Sequence, residues 1–263
     1  MITTHYIKRH AWLRVTKHFK TVFLISLIPM IFTVFGVTIN HQTTIIDTRS
    51  YQNHVNIEGT LPNGANYNIS SNELVHFLND NWFVILIIGL LVLFITLLIG
   101  IILTAISDFF TESAISGLID WRDDDRLPHD PIRAGLQLLT GVAFRIVLLR
   151  ALYITLWSFL LIVPGIIKSF SYSQALYLYR DDLRAGRPIK SANAYIKSSQ
   201  SLIYGYKGQL FVMYISLIGW YILNLITFGI ANLFTLPYIL VLRSEFYIAL
   251  RATAPEPTKT TIL

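Results

Sequence analysis

Long apolar runs alternate with short polar and basic stretches along most of the chain. The clearest run, Trp82 to Ile106, contains no charged residue and opens on an aromatic suited to a membrane interface. Thr21 to Ile39 is interrupted only by Pro29 and Gly36. Leu138 to Val163, Gln209 to Leu225 and Ile230 to Ala249 follow. Each is about long enough to cross a ~30 Å hydrocarbon core as a helix. Ile166 to Tyr179 is shorter and covers only ~21 Å as a helix.

The polar flanks orient these runs. Lys8, Arg9, Arg14, Lys17 and Lys20 precede the first run, with no acid before Thr21, so the N-terminus is expected in the cytoplasm. A basic start before an apolar run also fits a signal peptide, but no small-x-small cleavage site follows, which favours a retained anchor. The segment 40–81 is rich in Asn and Thr, carries one cation, Arg49, and is expected on the outer face. After Leu138 to Val163, the segment from Arg180 to Lys207 is strongly basic and would lie outside if the chain crossed only once. The conflict disappears if Pro164 and Gly165 form an outer turn and 166–179 runs back, either as a full crossing or as a re-entrant helix. Gly229 marks a second outer turn, at Thr227-Phe228-Gly229. The expected architecture is an all-α polytopic transmembrane helix bundle of one domain, about six membrane segments, with both termini cytoplasmic and a mobile tail at 252–263.

Two stretches have amphipathic spacing and are expected to lie along the inner interface. In Ser107 to Pro131, Phe109, Phe110, Ile115, Leu118 and Ile119 recur at helical intervals. In Ile189 to Tyr206, Tyr195, Ile196, Ser199 and Ile203 share one face, and Lys190 and Lys197 fall on the other.

Composition agrees with lipid as the solvent. Hydrophobic residues make up 54% and charged residues 14%, against about 25% charged in a typical soluble domain. That excludes an ordinary soluble enzyme and a disordered chain. Cysteine is absent, which removes thiol chemistry and Cys-ligated metals. The formal charge of +6 needs no nucleic acid, because the cations map onto the expected cytoplasmic loops. The partners expected instead are membrane lipids, with anionic headgroups on the cytoplasmic face, and an unidentified protein.

From Trp157 to Ser173 the order of residues is distinctive: a Trp, a Leu/Ile run, Pro164-Gly165-Ile166-Ile167-Lys168, then Tyr172-Ser173. Gly205-Tyr206-Lys207, Ile218-Gly219-Trp220, Thr227-Phe228-Gly229-Ile230, Leu236-Pro237-Tyr238 and Glu245-Phe246-Tyr247 follow in order. This set resembles domain-of-unknown-function family 975, uncharacterised bacterial integral membrane proteins. Phe170 stands where that pattern more often has Tyr, and Ile203-Tyr204-Gly205 replaces the usual Met-Lys-Gly. The family is also distantly similar to the membrane domain of some glycerophosphodiester phosphodiesterases, whose catalytic domain has no counterpart here. The resemblance implies a fold and a bacterial plasma membrane, and it transfers no activity and no catalytic residue.

Several residues are candidates for chemistry. Asp123, Asp124, Asp125, His129 and Asp130 form a dense polar cluster with the ligand types of a hard-cation site, but their spacing matches no metal motif. Flanking Arg122 and Arg126 make a solvated, self-neutralised loop the simpler expectation. Arg145 and Arg150 lie in or near the third run, where a charge is costly. Arg150 can snorkel, pair with Asp108 or Glu112, or touch a lipid headgroup or substrate. Lys168 is expected as an interfacial anchor, and Lys190, Lys197 and Lys207 as lipid contacts. No phosphate loop, nucleophile elbow or zincin motif occurs, and no cofactor is expected. The expected role is non-enzymatic, envelope-related accessory or partner-binding; a small transporter or lipid-handling protein is the alternative.

Overall fold

A computed structural model of the chain describes residues 4–40, 57–60, 66–69 and 71–253, with side chains over 4–31 and 76–253. The chain divides into two compact units: Met1–Thr38 with Ile101–Leu263, and Ile39–Gly100. Helix accounts for nearly all described residues, as expected for an all-α bundle.

The second unit contains the described exception to helix. Strands β1 (Ile57–Thr60) and β2 (Asn66–Ile69) pair antiparallel, with Ile57 opposite Ile69 and Thr60 opposite Asn66. The sequence between them carries the turn signal Leu61-Pro62-Asn63-Gly64, which lies outside the described residues. A short helix α3 (Ser71–Asp80) leads through Asn81 into α4 (Trp82–Asp124). The first part of α4 belongs to this unit and is outward-facing: Trp82, Leu86, Leu90, Phe94 and Leu98 all expose 42% or more. Such a surface is stable only in an apolar solvent.

The first unit holds α1 (Thr4–Lys17), most of α2 (Phe19–Asn40), the rest of α4, and the chain beyond. There α5 (Pro131–Ala134) is a single turn capped by Asp130. Then come α6 (Gly141–Leu160), α7 (Ile162–Tyr172), α8 (Ala175–Arg184), α9 (Ala192–Leu202), α10 (Lys207–Ile215), α11 (Ile218–Ile226) and α12 (Asn232–Arg251). Four stretches are long and apolar enough to cross a membrane: α4, α6, α10 together with α11, and α12. This is a membrane protein.

The sharpest difference from the sequence expectation is the turn after α6. Pro164 and Gly165 do not form it; both lie in the first turns of α7. The reversal is made at Leu161 alone, which is extended (φ −160°, ψ 141°) and caps α6 by donating to the Trp157 carbonyl. Proline is tolerated as the third residue of α7 because N–H groups in a first turn lack helical partners anyway. Gly165 serves close approach: a Cβ there would lie 2.3 Å from the Ser158 hydroxyl oxygen and 2.9 Å from the Ser158 Cα. A one-residue connection therefore suffices because α6 and α7 nearly touch. Gly229, in contrast, does sit in a turn, with φ +88° and its N–H donating to Asn224 O at 2.8 Å.

Two expected interfacial helices are instead packed into protein. Ser107 to Asp124 continues α4 without a break, and Glu112 to Ile119 together with Trp121 are buried. No proline interrupts this stretch, and small residues such as Gly117 let neighbours approach. A Cβ on Gly117 would meet the Ala134 carbonyl oxygen at 2.4 Å. Likewise the apolar face of α9, with Tyr195 and Ile196, is buried in a core shared with Ile146 of α6, Tyr172 of α7 and Tyr179 of α8. The amphipathic pattern was real, but its apolar face found helices rather than lipid.

The basic N-terminus also has more structure than its charges announce. Ile7, Ala11 and Val15, spaced by four, join a core with Tyr238, Leu242 and Leu250 of α12. Lys8, Arg9 and Lys17 lie off that stripe.

Candidate functional site

The polar residues of the first unit gather into linked clusters at the charged ends of α4, α8 and α12. In the deepest, Glu112 of α4 is 1% exposed and accepts from Arg150 Nη1 of α6 at 2.9 Å and from Arg243 Nη2 of α12 at 2.6 Å. Arg150 Nη2 reaches Asp108 Oδ2 at 2.8 Å. Asp108 and Glu112 lie one helical turn apart on the same face, so a single forked guanidinium spans both. The buried Tyr177 packs its ring 5.0 Å from that of Tyr247. Two cations and two carboxylates cancel, as buried charge requires.

A second cluster closes the end of α4. Arg180 donates to Asp120 through Nε at 3.0 Å and contacts Asp123 Oδ2 at 2.9 Å. Arg184, one turn further along α8, reaches Asp120 Oδ1 at 2.8 Å and also pairs with Asp124. Arg251 of α12 donates to Asp123 Oδ1 at 2.6 Å and to Asp181 Oδ1 at 3.1 Å. The Tyr247 hydroxyl donates to Asp181 Oδ2 at 2.6 Å. Three helices are cross-braced by charge.

At the α8–α9 junction, Asp182 accepts from Arg187 Nε at 2.6 Å and from the Tyr195 hydroxyl at 3.1 Å, with Lys190 Nζ at 3.2 Å. Burial alone would raise the Asp182 carboxyl, but these three donors outweigh it and hold it below the ordinary carboxylate value. Burial pushes the Tyr195 phenol up, and the negative charge of Asp182 adds to that.

Beside α1, Arg14 pairs with Glu245 at 2.9 Å, donates to the Leu118 carbonyl at 3.2 Å and lies 4.3 Å over the Trp121 ring. Arg122 reaches the same Glu245 at 3.9 Å.

The residues singled out from sequence separate into two groups. Arg150 is buried and doubly paired, whereas Arg145, on the same helix, is outward-facing and has no ion pair among the described residues. Lys168 places its ammonium 4.7 Å over the Trp157 ring, across the α6–α7 hairpin. Lys190 holds Asp182, while Lys197 is exposed and Lys207 half-buried at the start of α10. Of the polar cluster 121–130, Asp123 and Asp124 are taken by arginines and Asp130 caps α5. Among the described residues no group of three or more His, Asp or Glu is placed to hold a metal ion. The pairs Arg14–Glu245 and Arg180–Asp120 were missed, since separations of 231 and 60 residues leave no local signal.

The family profile described as "Protein of unknown function (DUF975)" matches residues 19–254. The chain belongs to that family. No curated protein and no solved structure matches it. The match takes in α2 through α12, so the charge clusters lie within the DUF975 region, apart from Arg14 of α1.

Proposed function

We propose that this DUF975 chain is a non-enzymatic, multi-pass protein of the bacterial plasma membrane, an envelope-related accessory or the membrane partner of another protein. The observation that carries this reading is the engagement of its carboxylates. Asp108, Glu112, Asp120, Asp123 and Asp124 are each bound by an arginine from another helix. Carboxylates committed in this way brace helices and are poorly placed to serve as a general base. In this reading α2, the apolar part of α4, α6, residues 166–179 of α7 and α8, α10 with α11, and α12 make six crossings, both termini face the cytoplasm, and the basic segment from Arg180 lies outside the membrane.

The alternative, transport or lipid handling with Arg150 on the cargo, is less well supported. Both guanidinium ends of Arg150 already hold carboxylates, and its side chain is 7% exposed. The test uses the full chain reconstituted in vesicles of bacterial polar lipids, with phospholipids and headgroup precursors followed by mass spectrometry. No turnover and no movement between leaflets is expected. Conversion of either class overturns the non-enzymatic reading, and accelerated lipid movement lost in Arg150→Lys favours the alternative.

A further inference from the structure

An open cleft of about 350 Å³ lies between α1, the C-terminal turn of α4 and α12. Its wall includes Trp121, buried to 8% exposure, with the His18 ring edge-on at 5.3 Å. Arg14 and Arg122 share the Glu245 carboxylate, which cancels part of their charge. Lys17 also lines the cleft and has no carboxylate partner among the described residues. The opposing group is Asp125, in left-handed backbone (φ +50°) just past α4. Three fixed cations therefore face two carboxylates, and His10 and His18 add ring nitrogens.

The geometry points to a binding site for a phosphate-bearing ligand in this cleft. A phosphate can accept hydrogen bonds from the Lys17 ammonium and a forked pair from the Arg122 guanidinium at once, and the imidazoles supply further donors. Two sources share that chemistry, a phospholipid headgroup and a soluble phosphate compound. The lip favours the lipid: Leu13 lines the cleft and is 54% exposed, and Tyr6, 56% exposed, sets its ring 4.2 Å from that of His10 in the cleft wall. An exposed leucine and an amphipathic aromatic beside a basic cleft are what a helix at headgroup depth carries. This inference rests on the reading that α1 lies at the cytoplasmic membrane face.

The test is calorimetric titration of the detergent-purified full chain with dioctanoyl phosphatidylglycerol, inorganic phosphate and neutral dioctanoylglycerol. Saturable binding of phosphatidylglycerol alone is expected. The Lys17→Gln/Arg122→Gln double variant should weaken it about tenfold or more, as removal of two cations from an anionic ligand predicts. Asp125→Asn, which removes the opposing charge, should tighten it. Binding of inorganic phosphate with the same responses to both variants keeps the site and assigns it to a soluble phosphate compound. Binding that does not saturate, that dioctanoylglycerol reproduces, or that ignores both variants overturns the site. Co-purifying lipid is quantified in parallel. Anionic enrichment that persists while the cleft variants are silent leaves the accessory membrane reading standing and removes this inference alone.

Discussion

The hydroxyl oxygens of Tyr179 and Thr140 lie 3.0 Å apart, tying α8 to the residue that caps the start of α6. At the other end of the same hairpin, Gly165 presses on Ser158, and Tyr153 faces Tyr172 between them with ring centroids 6.1 Å apart. These pairs are antiparallel neighbours, so α7 and the start of α8, as far as Tyr179, run back along the whole of α6. A helix of 20 residues is about 30 Å long, the thickness of a hydrocarbon core. A returning segment that matches it end to end is what the full crossing proposed above requires.

Because the chain has no native cysteine, single cysteines report sidedness directly. Ile162, next to the Leu161 reversal, is 76% exposed, and Phe228, in the second turn, is 97% exposed. Ile162→Cys and Phe228→Cys should react with an impermeant thiol reagent in intact cells, and Ser191→Cys should react only after lysis. Reaction at 191 in intact cells would put the basic segment outside and reverse the orientation.

Gly165→Val should destabilise the α6–α7 hairpin by ~1–3 kcal/mol, the usual cost of overpacking. Gly89→Val is the control, since a Cβ there meets nothing within 4 Å. Resistance to unfolding by sodium dodecyl sulfate should fall for the first and stay close to the parent for the second. Equal behaviour would mean that α6 and α7 are not in contact.

Arg150→Met leaves Asp108 without its guanidinium and Glu112 with Arg243 alone. Breaking a buried pair in this way costs ~3–5 kcal/mol, so folded yield should drop sharply. Arg150→Lys should also lose stability, because one ammonium cannot fork between two carboxylates. A Lys variant as stable as the parent would indicate snorkelling.

Acid should loosen the α8–α9 junction. The Asp182 pKa is depressed in the folded state by Arg187, Lys190 and Tyr195 against the effect of burial. Its contribution is therefore complete above the unfolded value of about 3.9 and is lost as pH falls through the lower folded value. Asp182→Asn should unfold more readily at neutral pH and lose less stability than the parent on acidification below about pH 4. Parallel acid curves for the two proteins would rule out this role.

Much of the site was half legible. A charge in an apolar run announced Arg150, and the place of Asp108 and Glu112 at the inner end of the second run made them one option for its partner beside snorkelling. Nothing local separated it from Arg145, because the outcome depends on which face of α6 meets α4. The amphipathic pattern of 107–124 and 189–206 was equally plain, and the same periodicity serves a helix on lipid and a helix on protein.

The chain's hydropathy determined that this is a helical membrane protein and where the apolar runs lie, since insertion responds to summed transfer energy over ~20 residues, and its Gly and Pro residues and basic flanks determined that turns follow the third and fifth runs. The order of its Pro-Gly, Gly-Trp and Phe-Gly signatures likewise determined its family. The tertiary structure decided that Leu161 and not Pro164-Gly165 makes the reversal, and that α1 docks on α12. It also decided that Arg14, Arg180 and Arg243 find acids 231, 60 and 131 residues away. Charge pairing acts over a few ångströms in space, and only packing brings such distant residues that close.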